Sequence, residues 1–114
     1  MTEECIFCKI VAGDIPANKL YEDGDVVALW DMHPQAPTHF LVIPKKHIKG
    51  PGNAGDEDAN LLGKMIKKAG DLARENGVGG GFRLVMNNGA DAGQTVFHIH
   101  IHVLGGRTMN WPPG

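Results

Sequence analysis

One stretch of this chain carries a long helical period, and it limits the folds open to the rest. From Asp56 to Glu75 the apolar residues Ala59, Leu62, Met65, Ile66, Ala69, Leu72 and Ala73 recur in steps of 3, 3, 1, 3, 3 and 1. That spacing gathers them on one face of an amphipathic helix. Asp56 is its expected N-cap and Asn76-Gly77 its expected stop. Lys64, Lys67, Lys68 and Arg74 read as its solvated face. A shorter helix is expected over 5–12 (CIFCKIVA), ended by Gly13 and Pro16.

The other patterned segments are short and β-like. They are 18–22 (NKLYE), 25–31 (DVVALWD), 38–44 (THFLVIP), 82–87 (FRLVMN) and 96–104 (VFHIHIHVL). Asp23-Gly24 between the first two is a hairpin signal, MHPQAP (32–37) is a turn, and KGPGNAG (49–55) reads as a flexible loop. The order β-β-β-α-β-β predicts an α+β fold: a mostly antiparallel five-stranded sheet packed on one long helix, plus the short N-terminal helix. At 114 residues with 42% hydrophobic content, the expectation is a single domain over 1–114 with a core of its own.

Charge and hydropathy exclude several classes. A net charge of −2, with both signs scattered, argues against a nucleic-acid partner. No apolar run approaches the ~18 residues of a membrane span. The start, MTEECIFCKI, is acidic and unlike a signal peptide, so a cytoplasmic protein is expected.

Three of the six histidines fall in FHIHIHVLGG (97–106). On a strand, His98, His100 and His102 share one face, ~6.5 Å apart along the backbone. Ile99, Ile101 and Val103 take the other face, towards the long helix. Histidine is a poor strand filler, so the row reads as chemical. It could ligate a catalytic zinc. A histidine could attack phosphorus, with its neighbours as acid and base. The protein could also bind a nucleotide and signal without turnover. The Gly-rich NNGADAGQT (87–95) just upstream is either a long hairpin connection or a phosphate cradle of backbone N–H groups.

Cys5-x-x-Cys8 is a spacing that can place two thiolates on one metal. Two free thiols and a redox pair are the alternatives. A thioredoxin-like pair would follow a strand, and none precedes this one.

The row His98 to Leu104 resembles the signature of the histidine triad family. CIFCKIVAGDIPANKLYEDGDVVALWD, QAPTHFLVIPKKHI, GQTVFHIHIHVLGGR and the terminal WPPG extend the resemblance to its Hint branch over nearly the whole chain. The resemblance implies a homodimeric hydrolase of nucleoside 5′-phosphoramidates and related conjugates, with purine nucleotides of the AMP or GMP type as substrate. It makes His100 the nucleophile, through a nucleotidyl-histidine intermediate. His102 would contact the phosphate and help proton transfer, and His39 would support the relay. Thr95, where many relatives have serine, and Asn87 would contact phosphate and leaving group, with Gly93 and Gln94 beside them. Asp31 would hold the ribose hydroxyls, against the alternative of a turn residue. Trp111, in the tail, would reach the partner subunit's site. Cys5, Cys8, His47 and His98 would hold a structural zinc, and no organic cofactor is implied.

Overall fold

The computed structural model describes residues 5–114. Its elements are α1 (Ile6–Ala12), β1 (Lys19–Glu22), β2 (Val26–Trp30), β3 (Thr38–Pro44), α2 (Ala59–Glu75), β4 (Phe82–Val85) and β5 (Ile101–Gly105). The strands form one five-stranded sheet in the order β1-β2-β3-β5-β4. Every neighbouring pair is antiparallel. This is the expected α+β architecture.

The hairpin at Asp23-Gly24 forms because the Asp23 carboxylate accepts from the N–H groups of Asp25 and Val26, at 2.7 and 2.9 Å. Such a short side chain folds back on its own turn. β3 lies between β2 and β5 and is buried from His39 to Pro44. Its residues part by alternation. Phe40 and Val42 join Met65, Ala69, Leu72 and Ala73 of α2 in the larger core. Leu41 and Ile43 turn to the opposite face, with Phe7 and Ile10 of α1. Ile99, Ile101 and Val103 lie in the α2 core, as their alternation with the histidines predicts.

Several boundaries differ from expectation for local reasons. A 3-10 turn over Asp56–Asp58 precedes α2, and the N-cap is Asp58 rather than Asp56. The Asp58 carboxylate accepts from Gly55 N–H and pairs with Lys46. The helix ends at Asn76. Gly77 follows at φ +82°, a left-handed turn that glycine adopts without strain. Ile66, placed by its period on the core face, is 53% exposed. Lys64 and Arg74 pair with Asp25 and Asp71 on the solvated side.

The fifth strand departs most. It was expected over 96–104, but its ladder starts only at Ile101. Pro44 closes β3, and its carbonyl accepts from the His98 ring rather than from a strand N–H. Ile99 N–H donates to Ile48 O at 2.6 Å. His98 and His100 therefore stand just ahead of the strand, and His102 within it. The segment 49–55, expected to be a flexible loop, forms a 3-10 turn tied to the 87–95 loop. No helix among the described residues is long and apolar enough to cross a membrane.

Candidate functional site

The sheet face opposite α2 carries the histidines. His102 pairs with Leu41 across the β3–β5 ladder, so it shares a face with Leu41 and with His39, two residues before it. α1 covers one end of this face. Phe7 lies edge-on to the rings of His98 and His100, with centroids 5.8 and 5.2 Å away. The sequence reading missed this residue. Phe7 lies in the short helix expected over 5–12, but nothing local showed that its partners include histidines.

His98 is fully buried at the corner where α1 meets the end of β3. Its Nε2–H donates to Pro44 O at 2.8 Å. A neutral imidazole has one N–H, so Nδ1 keeps its lone pair. That nitrogen lies 3.3 Å from Cys5 Sγ, 3.5 Å from Cys8 Sγ and 3.1 Å from His47 Nδ1. Cys8 Sγ is 3.3 Å from His47 Nδ1. Ligand atoms around a tetrahedral zinc stand about 3.3–3.8 Å apart, given bonds of about 2.0–2.3 Å. These four distances fall close to that range, and all four donors lie within 4.8 Å of one another. Cys5 also caps α1, its sulfur accepting from Cys8 N–H at 3.3 Å.

The electrostatics of the corner suit a cation. Burial first, then hydrogen bonding and repulsion from Cys5, push the Cys8 thiol up to about 11. A divalent ion reverses that balance and deprotonates the thiols. Burial first, then repulsion from His47 and His100, hold His98 down near 4. It is therefore neutral over the physiological range, as a ligand must be.

His100 is buried, and its Nδ1–H donates to the backbone carbonyl of His98 at 2.7 Å. That carbonyl is available because the ladder has not begun at residue 98. The bond places the lone pair on Nε2. The His100 and His102 ring centroids are 5.1 Å apart.

The third group joins His102, His39 and Asp31. His39 Nε2 lies 3.0 Å from His102 Nδ1 and 3.4 Å from the Asp31 carboxylate. Burial first, then repulsion from His100 and His39, hold His102 down near 4. Burial also lowers His39, against the attraction of Asp31. Asp31 accepts from His33 N–H through its other oxygen, at 2.7 Å.

The 87–95 loop borders this face. Gln94, expected among the substrate contacts, has a buried side chain that is fully occupied. Its Oε1 accepts from Gly89 N–H, and its Nε2 donates to the carbonyls of Lys49 and Val96. Asn88 Oδ1 accepts from Gly52 N–H at 2.7 Å. A Cβ on Gly50 would stand 2.7 Å from Asn88 Oδ1, so a side chain there would push the Asn88 amide from its place between the two loops. Gly93, at φ +94°, lies beside Asn87. Thr95 is exposed and lines a groove of about 480 Å³ with Val96, Phe97 and Lys49. Trp111 is 82% exposed, and it joins neither core cluster.

Among the described residues the three histidines of the row form no single metal-binding group. His98 belongs to the Cys5–Cys8–His47 set, and His102 to a separate set with Asp31 and His39.

The chain is similar to known proteins in sequence and in fold. The family model "HIT domain" matches residues 12–109. A HIT-like protein of Synechocystis sp. is 52% identical over 114 residues, with all of both chains covered. The crystal structure of a HIT family hydrolase from Legionella pneumophila Philadelphia 1 is similar at a TM-score of 0.94 and 50% identity, covering 96% of this chain and 99% of that one. A Zn-bound histidine triad family protein from Mycobacterium smegmatis is similar at 0.80 and 34% identity, covering 97% and 81%. With the family model spanning most of its length and a relative matched end to end, the chain belongs to the HIT domain family.

Proposed function

We propose that this protein is a hydrolase of nucleoside 5′-monophosphate conjugates of the phosphoramidate type, as in the Hint branch, with His100 as nucleophile. One observation carries the reading. The His98 carbonyl takes the Nδ1–H of His100, so the Nε2 lone pair is free and held in one direction. Phe7 packs against the same ring and limits its rotation.

The reaction runs in two displacements. His100 Nε2 attacks the α-phosphorus, a P–N bond to the ring forms, and the bond to the leaving amine breaks. The amine takes a proton from solvent on the exposed side, where Thr95 lies. Water then attacks phosphorus, the bond to Nε2 breaks, and the nucleoside monophosphate and the water's proton leave. Splitting one hard step into two easier ones is the gain of a nucleophile. His102, depressed near 4, acts as a neutral N–H donor to the phosphate oxygens rather than as an acid. Asp31 fits a hydroxyl-rich sugar, being a carboxylate partly open to solvent. Asn87, Gly93 and the backbone of Gln94 border the phosphate.

Cys5, Cys8, His47 and His98 would hold a zinc ion, whose part is to cross-link α1 to the ends of β3 and β5. The donor set, its spacing and the Pro44 bond that orients His98 support this, as does the Zn-bound mycobacterial relative. A homodimer built on α2 and β4 fits the exposure of Ile66 and Leu84, at 53% and 37%, beside the edge strand. A zinc hydrolase using the whole row is disfavoured, because the row is divided between two groups.

The test is hydrolysis of adenosine 5′-phosphoramidate by the intact protein and by His100→Gly. The wild type is expected to turn over, and the variant to lose at least about 10⁴-fold while still binding AMP. Near-normal turnover by the variant overturns the assignment.

A further inference from the structure

The turn MHPQAP (32–37) has so far only joined β2 to β3, yet its backbone reaches the histidines. Gln35 N–H donates to His39 Nδ1 at 3.0 Å. The turn is fastened on both sides of that bond. His33 N–H is held by Asp31, and Gln35 O accepts from Arg107 Nε at 3.0 Å. Arg107 also reaches Thr108 O through Nη1, which fixes the guanidinium beyond the end of β5.

We infer that the Gln35 backbone N–H, clamped by Arg107, sets which nitrogen of His39 carries its proton, and through it which nitrogen of His102 donates outward. Both are positioning residues, because neither reaches the reacting atoms.

The logic is a count of protons. Burial keeps both rings neutral near pH 7, so each has one N–H and one lone pair. His39 Nδ1 receives the Gln35 N–H, so its lone pair is there and its proton is on Nε2. That Nε2 faces His102 Nδ1 at 3.0 Å, which must then be the acceptor. His102 is left with its proton on Nε2, away from β3, on a side chain 24% exposed. The opposite tautomer of His39 would set two N–H groups against each other at Gln35. It would also turn the His102 proton inward.

The same count explains why one donor cluster differs from the other. Asp31, His39 and His102 lie within 4.8 Å, as metal ligands do. His39 Nε2 bears a proton, however, and its other nitrogen is already an acceptor. The ring could ligate there only by losing the Gln35 bond or by becoming an imidazolate. The cluster is a hydrogen-bond chain rather than a metal centre.

That an outward His102 N–H serves phosphate rests on the proposed function; the tautomers do not. The experiment reads ring nitrogen shifts in the zinc-loaded full chain labelled with [15N]histidine, without nucleotide. His39 and His102 are each expected with a protonated Nε2. Replacing glutamine 35 with its α-hydroxy analogue turns the donor N–H into an ester oxygen. His39 should then populate the Nδ1–H form, His102 should lose its single tautomer, and kcat should fall about ten-fold with KM little changed. Arg107→Ala should give a smaller change in the same direction, and Arg107→Lys, which keeps a donor, should restore most of it. A wild-type His39 protonated on Nδ1, or ring spectra unmoved in the ester and Arg107→Ala proteins, overturns the inference. Spectra that move as expected while phosphoramidate turnover stays constant uphold the tautomer assignment and count against the phosphate role of His102.

Discussion

The two ends of the histidine row are built from similar donors and do opposite things with them. At one end, His98 donates a hydrogen bond to Pro44 O and turns a lone pair towards two sulfurs and another histidine. At the other, His39 accepts a hydrogen bond from Gln35 N–H and, with its proton on Nε2, donates one to His102. Spacing does not separate the two groups, since the donors of each lie within 4.8 Å of one another. The bond on the far nitrogen of each ring does, because a neutral imidazole has one proton to place. His100, between them, borrows a carbonyl from the structural end to orient a lone pair at the reactive end.

Cutting the middle should have the largest effect, the loss of at least about 10⁴-fold in turnover expected for His100→Gly with AMP binding kept. Removing the donor beyond it should cost less. His102→Ala is expected to lose about 10²–10³-fold in kcat, the usual worth of one preorganised donor to transition-state charge. An unchanged kcat would mean that the His39 chain ends in nothing catalytic.

Breaking the structural end should instead be read in stability. Cys5→Ser removes a thiolate metal donor and leaves a hydroxyl that can still cap α1. It should abolish about one zinc per chain and lower Tm by about 10 °C or more, since about 1 kcal/mol moves Tm by roughly 4–8 °C in a domain of this size. The turnover of the molecules still folded should fall less than about ten-fold. A loss of activity as deep as that of His100→Gly, with Tm unchanged, would erase the distinction between the ends.

Acid titration sharpens the comparison. His102 and His98 are held near 4 when folded, against about 6.5 for a free histidine. Between those values the unfolded chain binds more protons, so stability rises with pH and is lost as pH falls from about 6.5 to 4. Each such histidine adds up to about 1.4 kcal/mol per pH unit in that window. Zinc adds to the slope at the His98 end, because protons compete with the metal for its ligands. Denaturant unfolding at several pH values, with and without a chelator, separates the two contributions. A flat profile between pH 4 and 6.5 would contradict both burials.

The smallest effect is expected at the braced loops. Gly50→Ala drives a methyl against Asn88 Oδ1 and should cost about 1 kcal/mol of stability and a few-fold in kcat. Denaturant midpoints and steady-state rates check it.

Much of this was legible in the sequence, for reasons that can be named. The single 3.6-residue period, flanked by short β runs, gave the sheet and its helix. The alternation of His98, His100 and His102 with Ile99, Ile101 and Val103 marked the two faces. The four residues expected to hold zinc do meet at one corner. What the sequence hid depends on partners distant along the chain. Ile66 keeps the helical period, yet it stands outside the core because β4 ends the sheet beside it. Residues 96–100 have strand composition, but Pro44 closes β3 and the ladder starts late. The side chain of Gln94, a residue expected among the substrate contacts, brackets two loops, which its own neighbourhood could not show. Phe7 against two histidines is a contact between segments far apart in sequence, whereas Gln35 meets His39 only four residues on, through a turn geometry that composition does not specify.

The most direct test of the division of the row is where the nucleotide lands. Protein turning over adenosine 5′-phosphoramidate would be quenched in conditions that preserve a P–N bond, digested, and mapped by mass spectrometry. An adenylyl adduct is expected on His100 and on no other histidine. An adduct on His98 or His102, or none while turnover continues, would contradict that division.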